Sequence, residues 1–292
     1  MFNILESSPK VLIQGITGKH GSFHTEAMLT AGTQIVAGVV PGGGGKLVHG
    51  MPVYDTIADV QRRSRVDVSI VFVPAPFCKS ALLEAVDARI PLVICITEGL
   101  PVHDFLVVKQ RAVKNGVRIV GPNCPGILMP DAGRFGIIPG SISLPGKVSI
   151  VSRSGTLVYE VANALTEAGI GQRVIIGIGG DPVKGTTFID CLRELQDDSD
   201  TEAIVLVGEI GGQDEQLAAE YISKQRITKP IYAYVAGHHA PLNRQLGHAG
   251  AIIKSGNETA ATKTALLKES GVQTAESVDD LVRMIIASAE LH

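Results

Sequence analysis

Short β-branched runs alternate with helix-length segments from Lys10 onward, and the alternation is broken only once, between residues 121 and 146. That rhythm dictates parallel strands joined by crossover helices, with helices covering both faces of the sheet. Strands are expected over residues 11–14, 34–40, 68–73, 92–97 and 118–120, and again over 148–151, 173–178, 203–208 and 231–235. The break carries Pro122, Pro125, Pro130, Pro139 and Pro145 among glycines, so it is expected to be an irregular connection holding a domain boundary. A chain of 292 residues with 45% hydrophobic content can supply a core to each side of it. The expected fold class is therefore α/β, with two mainly parallel sheets over residues 1–122 and 147–292 joined by 123–146.

Charge narrows the function. With 26 basic and 29 acidic residues and no run of like sign, nothing resembles a track for DNA or RNA, so any bound anion must be held locally. Cys78, Cys95, Cys124 and Cys191 are too dispersed for a paired metal or redox motif, and no metal site is expected on this chain. Reduced thiols suit a cytosol-like compartment. The opening Met1-Phe2-Asn3-Ile4-Leu5-Glu6 has neither a basic region nor a long apolar run, so a cytoplasmic chain of bacterial or archaeal type, without a transit peptide, is expected.

The strand exits carry the chemistry. Gly15-Ile16-Thr17-Gly18-Lys19-His20-Gly21 follows the first strand, where glycines let backbone N–H groups and a helix end meet a phosphate. Its spacing is G-x-x-G-x-x-G, and the second strand ends in Val39-Val40-Pro41 without the acid that holds a ribose hydroxyl, which disfavours a dehydrogenase. Another phosphate-bearing ligand, such as coenzyme A, stays open, with Lys19 and Lys46 as cations. Val73-Pro74-Ala75-Pro76-Phe77 and Ile96-Thr97-Glu98-Gly99 point at the same crevice.

In the second half, Ser152-Arg153-Ser154-Gly155-Thr156 leads into a helix that Ser154 or Thr156 can cap. Gly177-Ile178-Gly179-Gly180-Asp181-Pro182 and Gly208-Glu209-Ile210-Gly211-Gly212 are further bare exits. His248, in Gly247-His248-Ala249-Gly250, is an imidazole whose small neighbours let a ligand or another subunit approach. No P-loop accompanies them, because Gly42 to Lys46 lacks the required spacing. Phosphate reaching His248 must come from a partner.

Taken in register, these motifs together with Gly121-Pro122-Asn123-Cys124-Pro125-Gly126 resemble the α subunit of the succinyl-CoA synthetase (succinate–CoA ligase) family over essentially the whole chain. The resemblance implies an N-terminal Rossmann-like domain that binds coenzyme A and a C-terminal flavodoxin-like ligase domain. It implies reversible formation of succinyl-CoA from succinate, coenzyme A and ATP or GTP, through an acyl phosphate and a phosphohistidine. It also implies a β subunit, in an αβ or α2β2 complex, that binds the nucleotide and Mg2+. By the same resemblance His248 is the phosphorylated nucleophile and Glu209 the carboxylate that orients its ring. Thr17, Gly18, Lys19, His20, Gly43, Lys46, Pro74, Ile96, Thr97, Glu98 and Asn123 face coenzyme A, and Tyr159, Ser154, Gly155 and Thr156 face substrate or phosphate.

Two places depart from the family pattern. Gly43 stands where the family has lysine, and Lys46 comes three residues later. Residues 237–246 replace a basic, glycine-containing stretch with a loop bearing His238 and His239, which leaves malate–CoA or citrate–CoA ligation as alternatives to succinate. A coenzyme A-binding regulatory protein is the reading from another class.

Overall fold

The computed structural model describes residues 1–225, 227–247 and 249–288. They divide into two compact units, Met1–Gly140 with Val183–Gly185, and Ser141–Pro182 with Thr186 onward. His248 lies outside the described residues.

The first unit opens with a short helix α1 (Phe2–Leu5) and proceeds through β1 (Val11–Gln14), α2 (Lys19–Thr30), β2 (Ile35–Val39), β3 (Leu47–Val48), β4 (Met51–Tyr54), α3 (Ile57–Gln61) and β5 (Val68–Val71). It continues with α4 (Ala75–Asp87), β6 (Leu92–Cys95), α5 (Val102–Asn115), β7 (Arg118–Val120), β8 (Gly126–Met129) and β9 (Gly133–Gly136). One sheet has the order β3-β4-β2-β1-β5-β6-β7. All its pairings are parallel except β3 with β4. Strands β1, β5 and β6 are buried at every position, as continuous apolar runs must be when helices cover both faces. Leu82 and Val86 of α4 and Phe105 and Val108 of α5 close over one face. A buried Leu or Val contributes roughly 1.5–3 kcal/mol, so this layer fixes the strand register.

The break at residues 121–146 was expected to be irregular; instead β8 and β9 pair there as an antiparallel hairpin. Pro125 and Pro130 flank β8 rather than interrupting it, and Ile127, Leu128, Met129 and Phe135 are buried. Prolines that bound a strand leave its ladder intact.

The second unit contains β10 (Pro145–Ser152), α6 (Leu157–Glu167), β11 (Gln172–Gly177), α7 (Phe188–Asp197), β12 (Ala203–Glu209) and α8 (Asp214–Lys224). β13 (Ile231–Ala236), α9 (Ala260–Glu269), β14 (Gln273–Ala275) and α10 (Val278–Ala287) follow. Here the strands run β14-β13-β12-β10-β11, all parallel. Among the described residues no helix is long and apolar enough to cross a membrane.

Candidate functional site

In the first unit β1 lies between β2 and β5, so the chain leaves it on one side and returns on the other. Such a switch opens a crevice at the carboxyl ends of the strands. The first glycine loop occupies it. A Cβ on Gly21 would lie 2.2 Å from the Gly15 carbonyl oxygen, so only glycine lets α2 seat on the loop at this distance. Gly18 is the N-cap of α2 and offers no side-chain cap, while Thr17, Gly18, Lys19 and His20 are exposed. The helix end can therefore meet an anion.

Two further exits are tied to one another. Thr97 Oγ1 donates to the Val73 carbonyl at 2.7 Å, and the Asn123 N–H donates to the Thr97 carbonyl at 2.9 Å. Pro74 and Glu98 are exposed, whereas Ile96, Thr97 and Asn123 are half-buried. Gly43 is buried, and a Cβ there would lie 2.9 Å from the Val40 carbonyl oxygen, so the backbone at this position is set for glycine. Lys46 is exposed just before β3.

Sequence reasoning missed two histidines of this unit. His49 sits with Gly50 at positive φ in the two-residue turn between β3 and β4, and its Nε2 is 2.9 Å from Ser22 Oγ, which ties that hairpin to α2. His24 packs parallel to Phe72 with ring centroids 5.7 Å apart, and its Nδ1 is 3.1 Å from Arg134 Nη2. Burial, then the charges of Arg134 and His20, lower its pKa to about 4.

In the second unit the switch falls between β10 and β12, where Ser152-Arg153 and Glu209 emerge. Ser154 Oγ accepts the Leu157 N–H at 3.2 Å, so Ser154 caps α6 and Thr156 does not. Ser154 is buried, Gly155 and Tyr159 are half-buried and Thr156 is exposed. Glu209, at the end of β12, is buried.

Around it lies a charge cluster that the sequence did not announce. Arg153, 1% exposed, places Nη1 at 3.0 Å from both carboxylate oxygens of Glu215 and at 2.8 Å from the Gly211 carbonyl. Its Nε is 3.5 Å from Glu209 Oε1 and 3.3 Å from Asp214 Oδ2. Lys263, with no exposed surface, donates to Glu215 Oε2 and to the carbonyls of Glu209 and Gly211. Burial opposes the Arg153 charge, but Glu215, Glu209 and Asp214 outweigh it and hold the guanidinium above its usual range. Burial dominates at Lys263 and lowers its pKa despite Glu215, because Arg153 adds repulsion.

The glycine exits close this site. A Cβ on Gly211 would lie 2.1 Å from the Gly250 carbonyl oxygen, and one on Gly250 would lie 2.2 Å from that of Gly180. Three loops thus meet backbone to backbone beside Arg153. A cavity of about 220 Å³ opens there, lined in part by Arg153, Gly212, Asp214, Ala249 and Gly250. His238 and His239 instead line a separate cavity of about 610 Å³ with Tyr234 and Glu276. Among the described residues they belong to no cluster of three metal-ligating side chains.

Comparison with known proteins bears on both units. A CoA binding domain matches residues 6–99 and a CoA-ligase domain matches residues 151–280. The chain is 49% identical over 282 residues to succinate–CoA ligase (ADP-forming) subunit alpha 2 of Archaeoglobus fulgidus, covering 97% of this chain and 98% of that one. It is 47% identical to the corresponding alpha subunit of Aquifex aeolicus, covering 99% and 96%. Among solved structures, a mutant ATP citrate lyase of Methanosaeta concilii in complex with (3S)-citryl-CoA matches with a TM-score of 0.86 at 26% identity, over 96% of this chain. This chain spans 49% of that one. A dinucleotide-forming acetyl-coenzyme A synthetase of Ca. Korarchaeum cryptofilum shares the fold, with a TM-score of 0.77 at 24% identity, over 97% of this chain and 61% of its own.

Proposed function

The chain belongs to the succinate–CoA ligase α-subunit family, and from that premise we propose that it catalyses, with a β subunit, the reversible ATP-dependent joining of succinate to coenzyme A. The observation that carries this reading is near-half identity, end to end, to relatives named as ADP-forming alpha subunits. Those names favour ATP over GTP. A second chain holding the nucleotide and Mg2+ accounts for the lack of any P-loop motif in this sequence.

In this reading coenzyme A lies across the first crevice. The open end of α2 and the exposed cations Lys19 and Lys46 suit its phosphates, and Gly18, Pro74, Ile96 and Thr97 leave room for its body. Lys46 takes the charge role that Gly43 cannot supply. Thr17, His20, Glu98 and Asn123 complete the contact surface.

The chemistry belongs to the second unit. Neutral His248 attacks the terminal phosphorus of the nucleotide, forming an N–P bond as the P–O bond to the leaving diphosphate breaks. A succinate carboxylate oxygen then takes the phosphoryl group from the ring, and the thiol sulfur of coenzyme A displaces phosphate from the resulting acyl phosphate. Glu209 accepts the ring's other N–H and balances the positive charge of the phosphorylated imidazole. The first turn of α6, with Gly155 and Thr156 beyond the Ser154 cap, faces the phosphate, and Tyr159 faces the acid. The four cysteines are buried and form no disulfide, which suits a reducing cytoplasm.

The test is reconstitution. Co-expressed with its β subunit, the chain should form ADP with succinate faster than with malate or citrate, and alone it should transfer no phosphate from ATP. Preference for citrate or malate would change the substrate, and robust turnover by the single chain would remove the partner.

A further inference from the structure

The charge cluster beneath β12 contains more than a carboxylate for the ring. Glu215 is saturated: it takes Arg153 Nη1, Lys263 Nζ and the Glu209 N–H at 3.1 Å, so it cannot serve a ligand. Gly208 fits this arrangement, because a Cβ there would lie 2.8 Å from Glu215 Cγ and Oε1. Lys263 binds the same carboxylate and the carbonyls on either side of Ile210, locking the turn after β12. One edge of Arg153 is therefore immobilised.

Its other edge is not consumed. Buried Nε makes no hydrogen bond and stands within ion-pair range of both Glu209 and Asp214. A cation so placed attracts the Glu209 carboxylate without taking up a lone pair in a short bond. We propose that Arg153, clamped by Glu215 and Lys263, is a positioning residue for phosphoryl transfer, holding Glu209 aimed for the imidazole while Asp214 competes for the same guanidinium edge. This rests on the assignment of His248 and Glu209 made above.

Among the described residues, Arg153 from the β10 exit approaches the Glu209 carboxylate, Lys263 from α9 and Glu215 from α8 hold its backbone carbonyl and N–H, and Asp214 from α8 shares the Arg153 edge. Lys254 and Glu258 line the adjoining cavity. Removing a cation favours the imidazolium over the neutral nucleophile, so the acid limb of phosphorylation should move to higher pH. Removing a neighbouring anion should move it lower.

The experiment measures acid-labile, base-stable label from γ-32P-labelled ATP in the complex with the β subunit, as a function of pH. Arg153→Met should raise the acid limb by about one pH unit, the lower end of what loss of a nearby charge produces, with KM for coenzyme A unchanged. Arg153→Lys should restore most of the wild-type profile. Asp214→Asn should lower the limb, and it decides the matter if Arg153→Met fails to fold. Unmoved limbs in folded variants of a labelling-competent complex would overturn the positioning role alone, whereas no phosphohistidine in the wild type would overturn the reading beneath it.

Discussion

The two units arrange polar and charged groups at the end of a parallel sheet in opposite ways. The first presents Thr17, Gly18, Lys19, His20 and Lys46 to solvent on bare backbone. The second packs Arg153, Glu209, Glu215 and Lys263 out of water, where each charge needs another. A site of the first kind can lose a side chain without disturbing its fold. In one of the second kind, function and folding share the same atoms.

The sharpest break in this contrast is at His248, the proposed nucleophile. His248→Asn should abolish the phosphoenzyme, measured as acid-labile 32P, while calorimetric affinity for coenzyme A stays within about twofold, roughly 0.4 kcal/mol. A labelled mutant would remove the chemistry from the second unit.

Next comes the cost of the buried cluster. Glu215→Ala strips Lys263 of its carboxylate partner and leaves Arg153 only the longer contacts to Glu209 and Asp214, so it should destabilise the protein by about 3–5 kcal/mol. Lys19→Ala, on the exposed side, should stay within roughly 0.5 kcal/mol. Urea denaturation followed by circular dichroism reads both, and equal effects would dissolve the distinction.

These differences explain what was legible in the sequence. The strand exits were, because Val11-Leu12-Ile13 and Leu92-Val93-Ile94 are unbroken apolar runs ended by glycine or threonine, and a parallel sheet leaves such runs no other place. The hairpin of β3 and β4 was not, since two-residue Leu47–Val48 is too short for any period to register. The hairpin within the proline-rich break was hidden by prolines that only border it. The charge cluster was invisible for another reason. Arg153, Glu215 and Lys263 stand 62 and 48 positions apart in sequence, so no local spacing links them, and Lys or Glu on a helix reads by default as a solvated face. Glu209 was legible only through family resemblance.

A smaller effect tests whether Lys46 stands in for the missing family lysine. Exposed and screened, it should be worth no more than about 1 kcal/mol. Lys46→Ala should thus raise KM for coenzyme A about threefold to fivefold without changing kcat, and added salt should shrink the difference. An unchanged KM would assign the phosphate to Lys19 and the helix end alone.

The last test concerns His24, a half-buried imidazole of the first unit. Its pKa of about 4 in the folded protein lies below the usual value of 6.5, because burial comes first and the Arg134 and His20 charges add to it. Between those two values the unfolded chain binds a proton that the folded chain refuses. Stability from this group is therefore present above pH 6.5 and lost as pH falls toward 4. The melting temperature of the wild type should drop across that window, and His24→Phe, which keeps a ring against Phe72 but cannot titrate, should flatten the drop. A mutant with the same slope as the wild type would show that acid sensitivity arises elsewhere, with the second unit's carboxylate-rich cluster as the next place to look.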